Sequence, residues 1–169
     1  MAQILVVGGG TAGIGAAIAA GRMGGRVTLV EATGALGGVM ATCPGMPWGG
    51  GWPAGAPIGG LMTELTDRLA AMDPPAAEVR PCTLANFGPE ILYDPDMAAL
   101  LLAEMLAEAG VVHLPGTLVT EVERVEERIV SVQGVDRQGA FTLRPDILLA
   151  TVAVFAGVAV LIRKRKAQA

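Results

Sequence analysis

Cysteine, histidine and positive charge are scarce in this sequence, and each shortage removes a class of function. The two cysteines, Cys43 and Cys82, stand far apart with no CxxC spacing and no histidine cluster beside them. That leaves neither a zinc site nor a disulfide framework and suits a reducing compartment, the cytoplasm. His113 is the only histidine, in the strand-like run VVHLP; without a second one the sequence does not suggest a metal site built on His, and a general base would need an orienting partner that the sequence does not identify. Twelve Lys+Arg face sixteen Asp+Glu, and four of the cations form one run, Arg163 to Lys166, so the rest of the chain carries a net charge of −8. An acidic body argues against nucleic-acid partners, because displacing counterions from phosphates requires a basic face. The opening residues MAQILVVG lack the basic region and small-residue cleavage site of a secretory signal. No internal repeat suggests a solenoid.

What is abundant is apolar residues and glycine: 52% hydrophobic, 17% charged, and 24 glycines in 169 residues. This composition favours one folded domain with tight turns over disorder or a coiled coil. Ile4 to Val7 is a β-branched-rich run stopped by three glycines, the pattern of a strand buried on both faces of a parallel sheet. Ala12 to Met23 reads as a helix closed by Gly24-Gly25, and Arg26 to Glu31 as a second strand, giving one βαβ unit. Residues 32 to 60 read as a long loop rich in glycine and proline. Gly60 to Ala71 has helical spacing through Leu61, Leu65 and Leu69, and residues 73 to 92 look irregular. Asp94-Pro95 then opens a helix through Met97, Leu101 and Met105 that Gly110 closes. Val111 to Leu114 is a strand, and Thr117 to Val125, Ile129 to Val135 and Phe141 to Leu143 form a small β-meander. The expected fold class is α/β: a Rossmann-type parallel sheet with helices on both faces and an antiparallel meander inserted late.

The chemistry-bearing motif is Gly8-Gly9-Gly10-Thr11-Ala12-Gly13, a GxGxxG directly after a strand and at the start of a helix. Gly8 allows the sharp turn, Gly10 lets backbone approach a pyrophosphate, and Gly13 lets helix and strand pack closely. The amides of Gly10, Thr11, Ala12 and Gly13 at the helix N-terminus face the phosphates. Glu31 ends the second strand where an acid accepts hydrogen bonds from an adenosine ribose, and its charge disfavours the 2′-phosphate of NADP. The motif alone does not separate FAD from NAD.

The run VVGGGTAGIGAAIAAGRMGGRVTLVEATGALGGVMAT resembles the amino-terminal region of FAD-dependent oxidoreductases of the broad glutathione-reductase-like type, in the subgroup where Gly-Gly precedes Met-Ala-Thr. YDPDMAALLLAEMLAEAGV and the meander continue the likeness, which covers most of residues 3 to 146. The resemblance implies an FAD cofactor, with Gly8, Gly10, Gly13 and Glu31 serving its ADP half, and Gly37 and Gly38 beside the phosphates and the way to the isoalloxazine. It also implies that Val119, at the start of the meander, touches adenine through its backbone. The implied activity is electron or hydride transfer between FAD and an organic small molecule whose identity stays open, as do the catalytic side chains; an NAD-binding module and a non-catalytic, membrane-held remnant are the alternatives.

Departures from the family pattern are informative too. Where the subgroup has an Asp-Ala-Thr-Gly-Asp-like sequence after the meander, this chain has Leu149-Ala150-Thr151-Val152-Ala153, which keeps alanine and threonine but not the glycine or the acids. The chain is expected to be the front part of such an enzyme, its site completed by a missing domain or a second chain. Cys43 has no second thiol at position 48, which is Trp48, so dithiol chemistry is unsupported. Trp48, Trp52 and Tyr93 are suited either to covering a planar ligand or to anchoring a loop. Glu121, Glu123, Glu126 and Glu127 suit a solvated face.

Ile147 to Ile162 is uncharged and apolar; as a helix at ~1.5 Å per residue it would span roughly 24 Å, short of a ~30 Å hydrocarbon core. It reads as a marginal transmembrane helix with membrane contact through 147 to 166, as a core strand followed by a packed helix, or as a foreign tail. The domain plan is a flavin-binding region over 1 to 146, the apolar segment over 147 to 162, and a basic tail over 163 to 169.

Overall fold

The computed structural model describes residues 1–43, 45–49, 56–82, 88–126 and 128–151, and the backbone of 161–164. The chain divides into two compact units, residues 1–36 with 105–169, and residues 37–104.

The first unit is built on a parallel sheet. Strands β1 (Gln3–Val7) and β2 (Arg26–Glu31) flank helix α1 (Thr11–Arg22) in sequence, as the βαβ reading expects. Two more strands, which α-helical and meander segments separate from them in sequence, complete the order β5 (Val112–Pro115), β2, β1, β9 (Ile147–Ala150), with every neighbouring pair parallel. β1 thus has β2 on one side and β9 on the other, the point at which strand order reverses and where open α/β sheets bind ligands beyond their strand ends. Val6 and Leu29 have no exposed surface and Val30 almost none, which is why these strands read as continuous apolar runs rather than alternating ones.

Alternation along the strands sorts the core into two layers. Leu5, Val7 and Val30 pack against Val119, Val122 and Val132 of the meander, formed by β6 (Leu118–Val125), β7 (Arg128–Asp136) and β8 (Gly139–Leu143). The layer on that face is the meander, and a register shift between Val119 and Glu121 brings Val119 and Val122, three residues apart, into the same core. Ile4 points to the other face, where its Cδ1 lies against Gly25 beside Ala20, so α1 covers that side. The meander pairs antiparallel throughout, close to the expected spans, and its β7–β8 turn is held by the Asp136 carboxylate accepting the amides of Gln138 and Gly139.

The second unit holds helix α2 (Val39–Thr42), helix α3 (Gly60–Ala70) and a two-stranded antiparallel sheet of β3 (Ala77–Pro81) and β4 (Pro89–Tyr93). This corrects the irregular reading of 73 to 92. β3 carries exposed residues at four of five positions, and its alternation, AEVRP, is short and ends in proline; the pairing comes from the backbone ladder with β4. Within the expected loop over 32 to 60, Val39–Thr42 is helical, while Trp52 lies outside the described residues. Helix α4 (Pro95–Glu108) begins as expected: the Asp94 carboxylate accepts the amides of Asp96 and Met97 at 2.9 and 3.0 Å.

Ile147–Ala150 is strand β9 in register with Ile4–Val7, and Leu161–Lys164 is a strand, β10, parallel to β6; a single helix over 147 to 162 is incompatible with both. The core strand expected over Ile147 to Thr151 falls on β9 and the residue after it, while the helix expected to follow falls on 152–160, outside the described residues. Among the described residues no helix is long and apolar enough to cross a membrane.

Candidate functional site

The β1–α1 junction is shaped by what its glycines lack. Gly8 turns the chain at φ +104, a left-handed conformation that side chains disfavour, while its amide bonds the Val30 carbonyl at 2.9 Å. A side chain at Gly13 would collide with the Gly8 carbonyl and reach within 2.7 Å of the Thr151 hydroxyl, so α1 lies directly on the strand end. Gly10 differs: among the described residues, a Cβ there would meet nothing within 4 Å. It is the N-cap of α1, with no side-chain cap and no acid in the first turn. The helix therefore presents its first amides, from Thr11, Ala12 and Gly13, and the positive end of its dipole with no side-chain cap or first-turn acid to satisfy them.

Glu31 reaches this junction from the tip of β2. Its Oε2 accepts the Gly9 amide at 2.5 Å, and its Oε1 accepts both the amide and the hydroxyl of Thr33, at 2.7 and 2.9 Å. A carboxylate offers about four acceptor positions, so roughly one remains for a further donor. The chain after β5 crosses the same tip: Thr117 donates its amide to the Glu31 carbonyl at 2.8 Å and Gly116 to the Thr33 carbonyl at 3.0 Å. Val119 follows two residues later, its side chain buried in the core and its backbone at an irregularity in the β6–β7 ladder. Gly8 to Gly13 and Glu31 are thus brought together, with Thr117 at the same strand tip.

Sequence reasoning passed over three participants. Gly9 is the x of its motif, yet its amide is the one Glu31 takes, and a side chain there would press on the Glu31 carboxylate at 3.0 Å. Thr33, two residues past Glu31, is a local signal that could have been read. Thr151, one residue past β9, gives its hydroxyl proton to the carbonyls of Val7 and Gly8, at 3.0 and 3.1 Å.

The second unit holds Gly37 and Gly38 at the start of α2, at φ +112 and +57. The Gly38 carbonyl accepts the amides of Ala41 and Thr42 and the Thr42 hydroxyl, so the pair makes a helix-starting turn. In the same unit Trp48 stacks on Tyr93, ring centroids 4.1 Å apart, and the Tyr93 hydroxyl donates to the Met40 carbonyl at 3.0 Å. Burial raises the Tyr93 pKa above its ordinary value, the Trp48 indole opposes the rise and Cys43 adds to it, although the buried indole N–H has no partner in hydrogen-bonding geometry. Cys43 is an exposed thiol, and among the described residues no cluster could hold a metal.

His113 lies mid-strand in β5, opposite Leu29. Its Nε2 is buried without a partner; desolvation lowers its pKa, and the Glu31 charge only partly opposes this. A neutral imidazole fits that setting, and it agrees with a structural role.

Bare helix amides, a side-chain-free approach at Gly10 and an adjacent carboxylate suit the diphosphate and ribose of an ADP moiety. Solved structures share the fold. A THI4 structure from Thermovibrio ammonificans aligns with TM-score 0.60 and 16% identity over 89% of this chain and 57% of its own. The p-nitrophenol 4-monooxygenase PnpA from Pseudomonas putida DLL-E4 aligns at 0.63 and 17% over 94% of this chain and 44% of its own. The glycerol-3-phosphate dehydrogenase from Bacillus halodurans, complexed with FAD, aligns at 0.58 and 18% over 89% of this chain and 34% of its own. The chain thus spans between about a third and somewhat over half the length of these proteins. No curated protein matches the sequence. The model of the FAD dependent oxidoreductase family matches residues 3–166, nearly the whole sequence, and the chain belongs to that family.

Proposed function

We propose that this chain binds FAD by its ADP half across the tips of β1 and β2 and serves electron or hydride transfer between the flavin and an organic small molecule. The observation that carries this reading is the open approach at Gly10 beneath uncapped α1 amides, with the Glu31 carboxylate on the same loop. The amides of Thr11, Ala12 and Gly13 would hold the pyrophosphate, and the remaining acceptor capacity of Glu31 would take a ribose hydroxyl. Its negative charge disfavours a 2′-phosphate. Adenine would lie near the backbone of Thr117 to Val119, which leads into the meander from the β2 tip. When bound, the flavin supplies the redox chemistry; the residues of this chain bind and orient it.

Within the family, the Gly37-Gly38-x-Met-Ala-Thr pattern supports the glutathione-reductase-like subgroup, with Gly37 and Gly38 on the route from the phosphates to the isoalloxazine. The domain plan that goes with this reading is a flavin-binding region over 1 to 146. A further domain or a second chain would complete the substrate side, in keeping with the share of its relatives that this chain spans.

The test is purification followed by titration. Protein that carries a visible flavin absorption band, or that takes up FAD more tightly than NADH, supports the reading. Preferential NADH binding replaces it with an NAD module, and colourless protein that binds ADP alone makes it a non-catalytic dinucleotide binder.

A further inference from the structure

We infer that Thr151 is a positioning residue for dinucleotide binding: its hydroxyl clamps the glycine loop from the far side of the strand-order reversal and so sets the aim of the α1 amides. The inference rests on the proposed FAD-binding function and adds a residue distant in sequence from every member of the motif.

Three observations carry it. Thr151 extends the β9–β1 ladder, its amide donating to the Val7 carbonyl at 2.9 Å, so its backbone is fixed at the end of β1. Its single hydroxyl proton lies between the carbonyls of Val7 and Gly8, at 3.0 and 3.1 Å, the two peptide units on which the chain turns from strand to loop. The same oxygen stands 3.0 Å from where a Gly8 side chain would be and 2.7 Å from where a Gly13 side chain would be. It therefore fills the space that those two glycines leave.

The chemistry requires a donor there. Gly8 holds a left-handed φ of +104, and the orientation of its peptide unit decides where the following amides point. A hydroxyl satisfies the Gly8 carbonyl and tolerates a 3.0 Å approach to oxygen. A methyl group in its place donates nothing and is too large for that spacing, so it would push the loop outward by a few tenths of an ångström. The phosphate amides would then be misaimed while the sheet stays paired, because Thr151 keeps its backbone bond to Val7.

Thr151→Val and Thr151→Ser in the full chain separate the possibilities. Amide hydrogen exchange of the ligand-free proteins is measured along Gly9 to Gly13 and along the meander, with FAD and ADP affinities by calorimetry. The expected result for T151V is loop exchange about five- to tenfold faster, with FAD and ADP weakened by that same factor, the scale of one lost hydrogen bond. T151S behaves as wild type, and meander exchange is unchanged in both. The inference is overturned if loop exchange in T151V is unaltered, if T151S matches T151V, if loop and meander exchange rise together, or if FAD weakens while ADP does not. Failure of the wild-type chain to bind either FAD or ADP would instead refute the proposed function, and the exchange comparison would still decide whether Thr151 clamps the loop.

Discussion

The Glu31 carboxylate holds the Gly9 amide at 2.5 Å, joining the tip of β2 to the loop that leaves β1. One acid thus shapes the glycine loop and, in the proposed mode of binding, also meets the ribose. With Thr33 as its second anchor, the carboxylate is oriented before any ligand binds, which lowers the ordering cost of binding.

Replacing Glu31 tests both roles. Hydrogen bonds to a charged group contribute about 1.5–3 kcal/mol, so E31A should weaken ADP and FAD by about 10- to 150-fold. Calorimetric titration measures this. An affinity for ADP equal to that of wild type would remove Glu31 from the site.

The glycines of the motif should separate by consequence. Among the described residues nothing lies within 4 Å of a side chain's first carbon at Gly10, and the backbone there, at φ −76, suits any residue. G10A should therefore melt within a few degrees of wild type yet bind FAD poorly. G13A forces a side chain onto the Gly8 carbonyl and should lose about 1–3 kcal/mol of stability as well as binding. Thermal melts beside FAD titrations decide, and equal melting of the two variants would contradict the packing described.

His113 makes stability depend on pH. Its pKa lies below the ordinary 6.5 because burial disfavours the imidazolium. The unfolded chain then binds more protons than the folded one, and the stability that the neutral imidazole contributes, in full above about pH 6.5, falls as pH drops toward the folded-state pKa. H113N should remove this slope. Urea unfolding of both proteins from pH 7.5 down to about pH 5.5, on the acid side of the ordinary imidazole pKa, reads the difference; parallel curves would place the imidazole in contact with solvent.

The meander has its own weak point at Gly134. A side chain there would collide with the Phe141 ring and approach the Leu118 carbonyl to 2.9 Å. G134A should cost about 1–3 kcal/mol by overpacking. Denaturant unfolding checks this, and a loss below about 0.5 kcal/mol, the scale of an ordinary surface substitution, would mean that the ring moves aside freely.

The sequence by itself determined the elements whose signals are local. The β1–α1–β2 unit, the Asp94 cap of α4 and the three meander strands follow from apolar periodicity, capping residues and turn chemistry within a few positions. So does the glycine loop with Glu31, because motif and acid are separated by one helix and one strand of predictable length. Tertiary structure alone decided the rest. β3 offers only a short alternation, AEVRP, in a mostly exposed strand, and exists through its ladder with β4. Ile147 to Ala150 reads equally as the start of an apolar helix; the open edge of β1 makes it a strand. Thr151 meets Gly8 across 143 residues, and Gly9 matters only because Glu31 turns back to it. Such pairings depend on where the chain returns in space, which no local run of residues encodes.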